Sequence, residues 1–227
     1  MPILQFHFGS LPDLNGIQMA AWALTATEMQ AGVILPCSRF PKRNLHALPE
    51  WRQQEHHAVD SALLHLGFSA EEYPVIHLPN GAPRFQGQHA DLELSISHSR
   101  HPELGIIALV ATRNTAQKSS PHTRHALGCD VEYPRETLNR IAPRIFTPHE
   151  QSLAQDLEDA CPLWGIKEAV WKGFGPDLDF NKDIEFLGNH IEPGAVRIRI
   201  KGCHEPQWYA IGKAKAPWPW WSVIGPL

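Results

Sequence analysis

The sequence predicts an α+β protein in which helices pack on antiparallel sheets. Two observations predict it. AVRIRIKG at 195–202 alternates strictly, with Val196, Ile198 and Ile200 on one face and Arg197, Arg199 and Lys201 on the other, as a half-buried strand requires. PLWGIKEAVWKGF at 162–174 instead places Leu163, Ile166, Val170 and Phe174 on one stripe at helical spacing. Both patterns have counterparts in the other half of the chain.

In chain order, ILQFHF at 3–8 reads as a strand and IQMAAWALTATEMQAG at 17–32 as a helix ended by Gly32. CSRFPKRN at 37–44 is a loop carrying Arg39, Lys42 and Arg43. A helix begins near Pro49 and stops at Gly67, since proline suits a first turn and glycine a C-terminus. Asn80-Gly81 marks a hairpin between VIHL and PRFQ. LELSIS at 92–97 and GIIALVA at 105–111 are strands. The polar stretch 112–126, with a proline and paired serines, reads as a linker between an N-terminal lobe, 1–111, and a C-terminal lobe, 127–227. LGCDVE at 127–132 follows as a strand. TPHE at 147–150 has the form of a capping box and opens a helix of about three turns through Leu153 and Leu157. Asp159 and Pro162 begin the next helix, which Gly173, Gly175 and Pro176 end. QWYAIGKA and WWSVI are the last strands, and the prolines of PWPWW suggest that the latter lies at a sheet edge.

Composition narrows the class. The 227 residues carry a formal charge of -4, 43% hydrophobic residues and a mean hydropathy of -0.29, as expected of a soluble globular protein. A general nucleic-acid binder is usually basic, so no nucleic-acid partner is expected. No apolar run is long enough to cross a membrane, and MPILQFHF lacks the basic start and long apolar core of a signal peptide. Cys37, Cys129, Cys161 and Cys203 show neither CxxC nor zinc spacing, which suggests reduced thiols and a cytoplasmic location.

The chemistry concentrates in two stretches. On a strand Asp130 and Glu132 share one face, while Cys129 and Val131 share the other. On a helix Glu168 and Lys172 are neighbours, with Lys167 beside them in sequence. If strand and helix pack together, three carboxylates can converge on a hard divalent cation with a lysine alongside. Such a site suits Mg²⁺ and a phosphate ester.

These stretches resemble the signature of the 4′-phosphopantetheinyl transferases, a glycine-x-Asp-x-Glu strand followed some forty residues later by Trp-x-x-Lys-Glu-Ala-x-x-Lys. The matching residues are Gly128 to Glu132 and Trp164 to Lys172. SISHS at 95–99 resembles the family's Ser-His-Ser turn, and RIFTPHE at 144–150 its segment between the signatures. Order and spacing are similar to the larger, single-chain, surfactin-synthetase-activating type. That resemblance implies two similar lobes, each an antiparallel sheet packed with helices, and a monomer. It implies transfer of 4′-phosphopantetheine from coenzyme A to a serine of an apo acyl or peptidyl carrier protein of fatty-acid, polyketide or nonribosomal-peptide synthesis, with release of 3′,5′-ADP. The cofactor implied is Mg²⁺, with Mn²⁺ as a substitute. Asp130, Glu132 and Glu168 are then the metal ligands, and Glu168 and Lys172 the catalytic pair. The coenzyme is held by Arg39, Lys42, Arg43, Arg84, Ser97, His98, Lys167 and Lys172. Ala82 departs from the pattern, where relatives carry lysine, and Arg84 is the nearest substitute. The rival readings are a relative that binds coenzyme A or a carrier without catalysis, and a metal-dependent nucleotide phosphohydrolase.

Arg135, Arg140 and Arg144, interspersed with Leu138, Ile141 and Phe146, could form a basic and apolar surface for an acidic carrier. The competing reading buries the three apolar residues and leaves the arginines to solvate the surface.

Overall fold

The computed structural model describes residues 6–7, 16–25, 28, 39–87, 89, 91–115, 127–215 and 219–227. It is a mixed α+β structure with antiparallel sheets, and its contacts divide into two compact units. One contains the described residues from Gly16 to Thr115, the other Phe6–His7 and the described residues from Leu127 onward.

In the first unit, β2 (Ile17–Leu24), β5 (Leu92–His101) and β6 (Gly105–Asn114) form a sheet in the order β2-β6-β5. The helix α1 (Glu50–His65) packs on it, burying Ala58, Val59, Ala62 and Leu63 at helical spacing against Leu24, Ile106 and Val110. It ends at Leu66, and Gly67 follows with φ +89°, a left-handed conformation that favours glycine. A short hairpin joins β3 (Val75–His77) to β4 (Pro83–Phe85) through Asn80-Gly81.

Three expectations fail here. Ile17–Leu24 is a strand and not the start of a helix. Its alanines favour a helix locally, but eight consecutive residues pair with β6, from Ile17 opposite Arg113 to Leu24 opposite Ile106. Tertiary pairing overrides a weak local preference. Residues 26–27 and 29–32 of the expected helix lie outside the described residues. The Ser-His-Ser segment is not a turn either, because β5 continues through it to His101. The expected linker starts too early, since β6 runs to Asn114; residues 116–126 lie outside the described residues.

The second unit is built on a six-stranded sheet of β1 (Phe6–His7), β7 (Gly128–Glu132), β8 (Ile184–Phe186), β9 (Gly194–Ile200), β10 (Gln207–Ala214) and β11 (Trp221–Gly225). The order is β7-β11-β10-β9-β8, with β1 also on β10. The N-terminal strand therefore belongs to this unit, across the expected boundary at 111, because distant pairing leaves no local signature. The β11 strand is not at an edge: it lies between β7 and β10, its prolines precede it, and all five of its residues are buried.

Three helices complete this unit: α2 (Thr137–Ile145), α3 (Pro148–Leu153) and α4 (Leu157–Phe174). The capping box forms in full. Glu150 N donates to Thr147 Oγ1 at 3.2 Å, and Thr147 N donates to Glu150 Oε2 at 2.8 Å. The helix it opens stops at Leu153, short of the expected three turns, and Asp156 caps a new one by accepting from Asp159 N at 2.9 Å. Leu138 and Phe146 are wholly buried in the core with Leu163, Ile166 and Val170, while Arg140 and Arg144 are exposed. The apolar half of the expected docking surface is thus structural.

Among the described residues, no helix is long and apolar enough to cross a membrane. None of the described cysteines is in a disulfide; Cys129 and Cys161 are buried, and Cys37 lies outside the described residues.

The α4 helix lies on β7 and β11 at very short range. A Cβ on Gly128 would stand 1.9 Å from Ala169 O, so only glycine permits this approach. Gly128→Ala should therefore cost roughly 2–4 kcal/mol of stability, read as a lower urea midpoint, with no folded rearrangement that relieves it cheaply. A midpoint within experimental error of the wild type would mean that strand and helix are less tightly spaced than described.

Candidate active site

Strand alternation and one helical turn position the acids. Asp130 and Glu132 lie two residues apart on β7, and both are buried, at 5% and 6% exposure. Glu168 and Lys172 stand one turn apart on α4. Lys172 Nζ donates to Asp130 Oδ1 at 2.7 Å and to Cys129 O at 3.1 Å. Arg135, on the loop after β7, donates through Nη2 to Glu132 Oε2. Gly165 faces Asp130 across the layers: a Cβ there would lie 3.5 Å from Asp130 Oδ2 and 3.0 Å from Val223 Cγ2.

Charge governs this cluster. Burial pushes Glu168 up to about 7, the neighbouring charges of Asp130 and Glu132 push the same way, and Lys172 and Arg135 only partly offset them. Burial acts against the charged form of Lys172, but Asp130 outweighs it and the ammonium sits above its usual range. Burial, with Glu132 and Asp130, raises the Cys161 thiol well above its ordinary range and keeps it protonated. Asp130 and Glu132 thus each have a cationic partner, and Glu168 holds its proton up to near neutrality.

An oxygen-only donor set of three carboxylates is the kind that hard divalent cations take. Among the described residues, no three His, Cys, Asp or Glu side chains already stand in a ligating arrangement. As drawn, Asp130 is turned to Lys172 and Glu132 to Arg135. The donors fit such an ion by type and by electrostatic proximity, and ligation would require Glu132 to leave Arg135.

Several expected ligand contacts are structural instead. Lys167 is wholly buried: its Nζ meets Glu150 Oε2 at 2.7 Å, Phe180 O at 2.8 Å and Ile184 O at 2.5 Å, so it cannot reach a coenzyme. Arg39 is also wholly buried. Its Nε donates to Asp60 Oδ1 at 2.6 Å, and its other nitrogens donate to the carbonyls of Phe68, Ser69 and Tyr73. Sequence could not separate these cations from exposed ones, because loop and helix patterns do not reveal which carbonyls lie opposite.

The remaining basic residues partly assemble. In the first unit a cavity of about 260 Å³ is lined by Arg43, Arg52, Glu55, His56, His77 and His98, among others. His98 Nδ1 lies 3.3 Å from Glu55 Oε1, and Arg43 Nη1 lies 3.3 Å from His56 Nε2. Burial, then the charges of Arg43, His98 and His77, push His56 down to about 4; burial and Arg43 lower His77. The cavity therefore combines the cations Arg43 and Arg52 with the carboxylate of Glu55, and the low values of His56 and His77 leave those two rings neutral near pH 7. Ser97 is buried on the opposite strand face from His98, so the two do not act as a pair. Lys42 and Arg84 are exposed and do not line this cavity. His56 and His77 were missed because neither belongs to a recognisable motif; the cavity gathers them from α1 and β3.

Residues 126–220 match the model of ACPS, the 4′-phosphopantetheinyl transferase superfamily. The match spans Asp130, Glu132, Glu168 and Lys172 and leaves the whole first unit outside it. The similarity to that superfamily therefore lies within the second unit. No curated protein matches the chain.

Since folded Glu168 binds its proton more tightly than the unfolded chain does, its contribution to stability is full below about pH 4.5 and is lost as pH rises through about 7. Glu168→Gln should remove that loss. It should raise stability at pH 8 by on the order of a few kcal/mol and change little at pH 4, as read from thermal midpoints at both values. An equal effect at both pH values would refute the buried, acid-crowded setting of Glu168.

Proposed function

We propose that the protein is a Mg²⁺-dependent 4′-phosphopantetheinyl transferase acting on an apo carrier protein. The observation that carries this is the placement of Asp130 and Glu132 on β7 against Glu168 and Lys172 on α4, with Lys172 Nζ 2.7 Å from Asp130 Oδ1, inside the stretch that matches the superfamily. In this reading Asp130, Glu132 and Glu168 hold the cation, which when bound draws charge from the diphosphate oxygens. Lys172, tied to Asp130 and to Cys129 O, orients the Asp130 carboxylate. Glu168, ionised above about pH 7, takes the proton of the incoming serine hydroxyl. The serine oxygen bonds to the phosphorus that carries pantetheine, the bond from that phosphorus to the bridging oxygen breaks, and 3′,5′-ADP leaves with the electron pair. Arg43 and His98, which line the first-unit cavity, are assigned to a coenzyme phosphate.

Intact-mass measurement on several apo carrier proteins with coenzyme A and Mg²⁺ tests this directly. The expected result is one phosphopantetheine added per carrier, slowed roughly 10²–10⁴-fold in Glu168→Gln and lost in Asp130→Ala. Coenzyme A cleaved without an acceptor would favour a phosphohydrolase, and full activity in Asp130→Ala would remove the metal assignment.

Arg43→Ala and His98→Ala should each raise the KM for coenzyme A by roughly 5–50-fold while leaving the carrier KM unchanged. Dephospho-coenzyme A should lose the distinction if the cavity takes the 3′-phosphate. Unchanged KM values in both variants would move that role elsewhere, Arg84 being the next exposed cation.

A further inference from the structure

Arg135 stands apart from the other arginines and lysines with defined roles. Arg39 has an acceptor for each of its three guanidinium nitrogens, and Lys167 has three acceptors for its three protons. The hydrogen bond that Arg135 makes is to Glu132, and its buried Nε has no partner among the described residues. Leaving a buried donor unsatisfied normally destabilises a fold. The guanidinium also overlies the Tyr133 ring at 6.0 Å, the far limit of an effective cation–π contact. The side chain is 40% exposed and sits on a loop, so it can turn without disturbing the core.

We propose that Arg135 is a two-position residue that pairs with Glu132 in one position and binds a diphosphate oxygen in the other. This rests on the proposed function, which brings a cation and a diphosphate to the same carboxylates. A cation coordinated by Glu132 must displace the guanidinium from Oε2. The displaced fork, with Nε already lacking an acceptor, then faces the anion that the cation gathers. Its planar donors match phosphate geometry better than an ammonium does. Lys172 differs in that it also donates to a backbone acceptor, Cys129 O, at 3.1 Å, a bond that a cation on the carboxylates leaves in place. Arg135 thus opposes cation binding by itself and favours it once the diphosphate is present.

Titration of the purified full chain with MnCl₂, followed by electron paramagnetic resonance, and with coenzyme A, followed by calorimetry, separates the two positions. Arg135→Gln should bind Mn²⁺ alone roughly 5–10-fold more tightly than the wild type, because a competing positive charge is gone. At saturating Mn²⁺ it should bind coenzyme A roughly 10-fold or more weakly, because the charged fork is gone. Arg135→Lys should fall between the two proteins in both titrations, and it carries the test if the glutamine variant fails to fold. An unchanged or weaker Mn²⁺ affinity, or an unchanged coenzyme A affinity, overturns the inference while leaving the transferase reading intact. A wild-type protein that binds no Mn²⁺ even with coenzyme A present overturns both.

Discussion

The ion pair between Lys167 and Glu150 is the point on which the second unit depends. Both side chains are fully buried, and their charged atoms are 2.7 Å apart. Burying two charges is costly, and the cost is tolerable only when the remaining donors and acceptors are also met. Here they are. Glu150 Oε1 accepts from Phe186 N, and its Oε2 accepts from Thr147 N as well as from Lys167. The other two Lys167 bonds close the chain that follows α4 against the helix, through the carbonyls of Phe180 and Ile184. Asn181 adds a bond to Phe146 O at 2.6 Å. One pair therefore ties the start of α3, the middle of α4 and the entry to β8 together.

This anchoring matters for the acids because Lys167 and Glu168 are consecutive on α4. A step of about 100° around the helix separates a side chain sunk into the core from one in the carboxylate cluster. Fixing the first sets the rotation of the helix and hence the direction of the second. Gly128 on the strand and Gly165 on the helix complete the constraint, allowing α4 to lie close on β7 and β11. Packing thus holds the site on two sides, and the bonds of Lys172 to Asp130 and Cys129 O add to it.

Local sequence made the helices and most strands legible, because period and capping residues are local signals. Thr147 and Glu150 announce a cap, and Ile198 and Ile200 announce an inward face, and both are found. The failures share a cause. Ile17–Leu24 reads as a helix by composition, yet its partners lie 82 to 96 residues away; β1 joins β10 at the opposite end of the chain. Among site residues, the acids and Lys172 were visible through spacing. The split between structural and available cations was not. Arg39 and Lys167 look like ligand contacts until the carbonyls opposite them are located, and His56 and His77 look ordinary until a cavity collects them. Arg135 was read as surface, and its partner is three residues upstream in the acid strand.

Under the proposed function, the near-contact of Gly128 with Ala169 would also bear on which ion the carboxylates prefer. Two of the three carboxylates stand on the strand and the third on the helix, so any cation they share must span the gap between the layers. That gap is already as narrow as backbone atoms allow. A small octahedral ion with short oxygen bonds suits such a gap, whereas a larger ion with longer bonds and more ligands would have to wedge the layers apart. Discrimination by ionic radius would then reside in a glycine that touches no metal, and enlarging that residue would shift preference toward the bigger ion before it abolished binding.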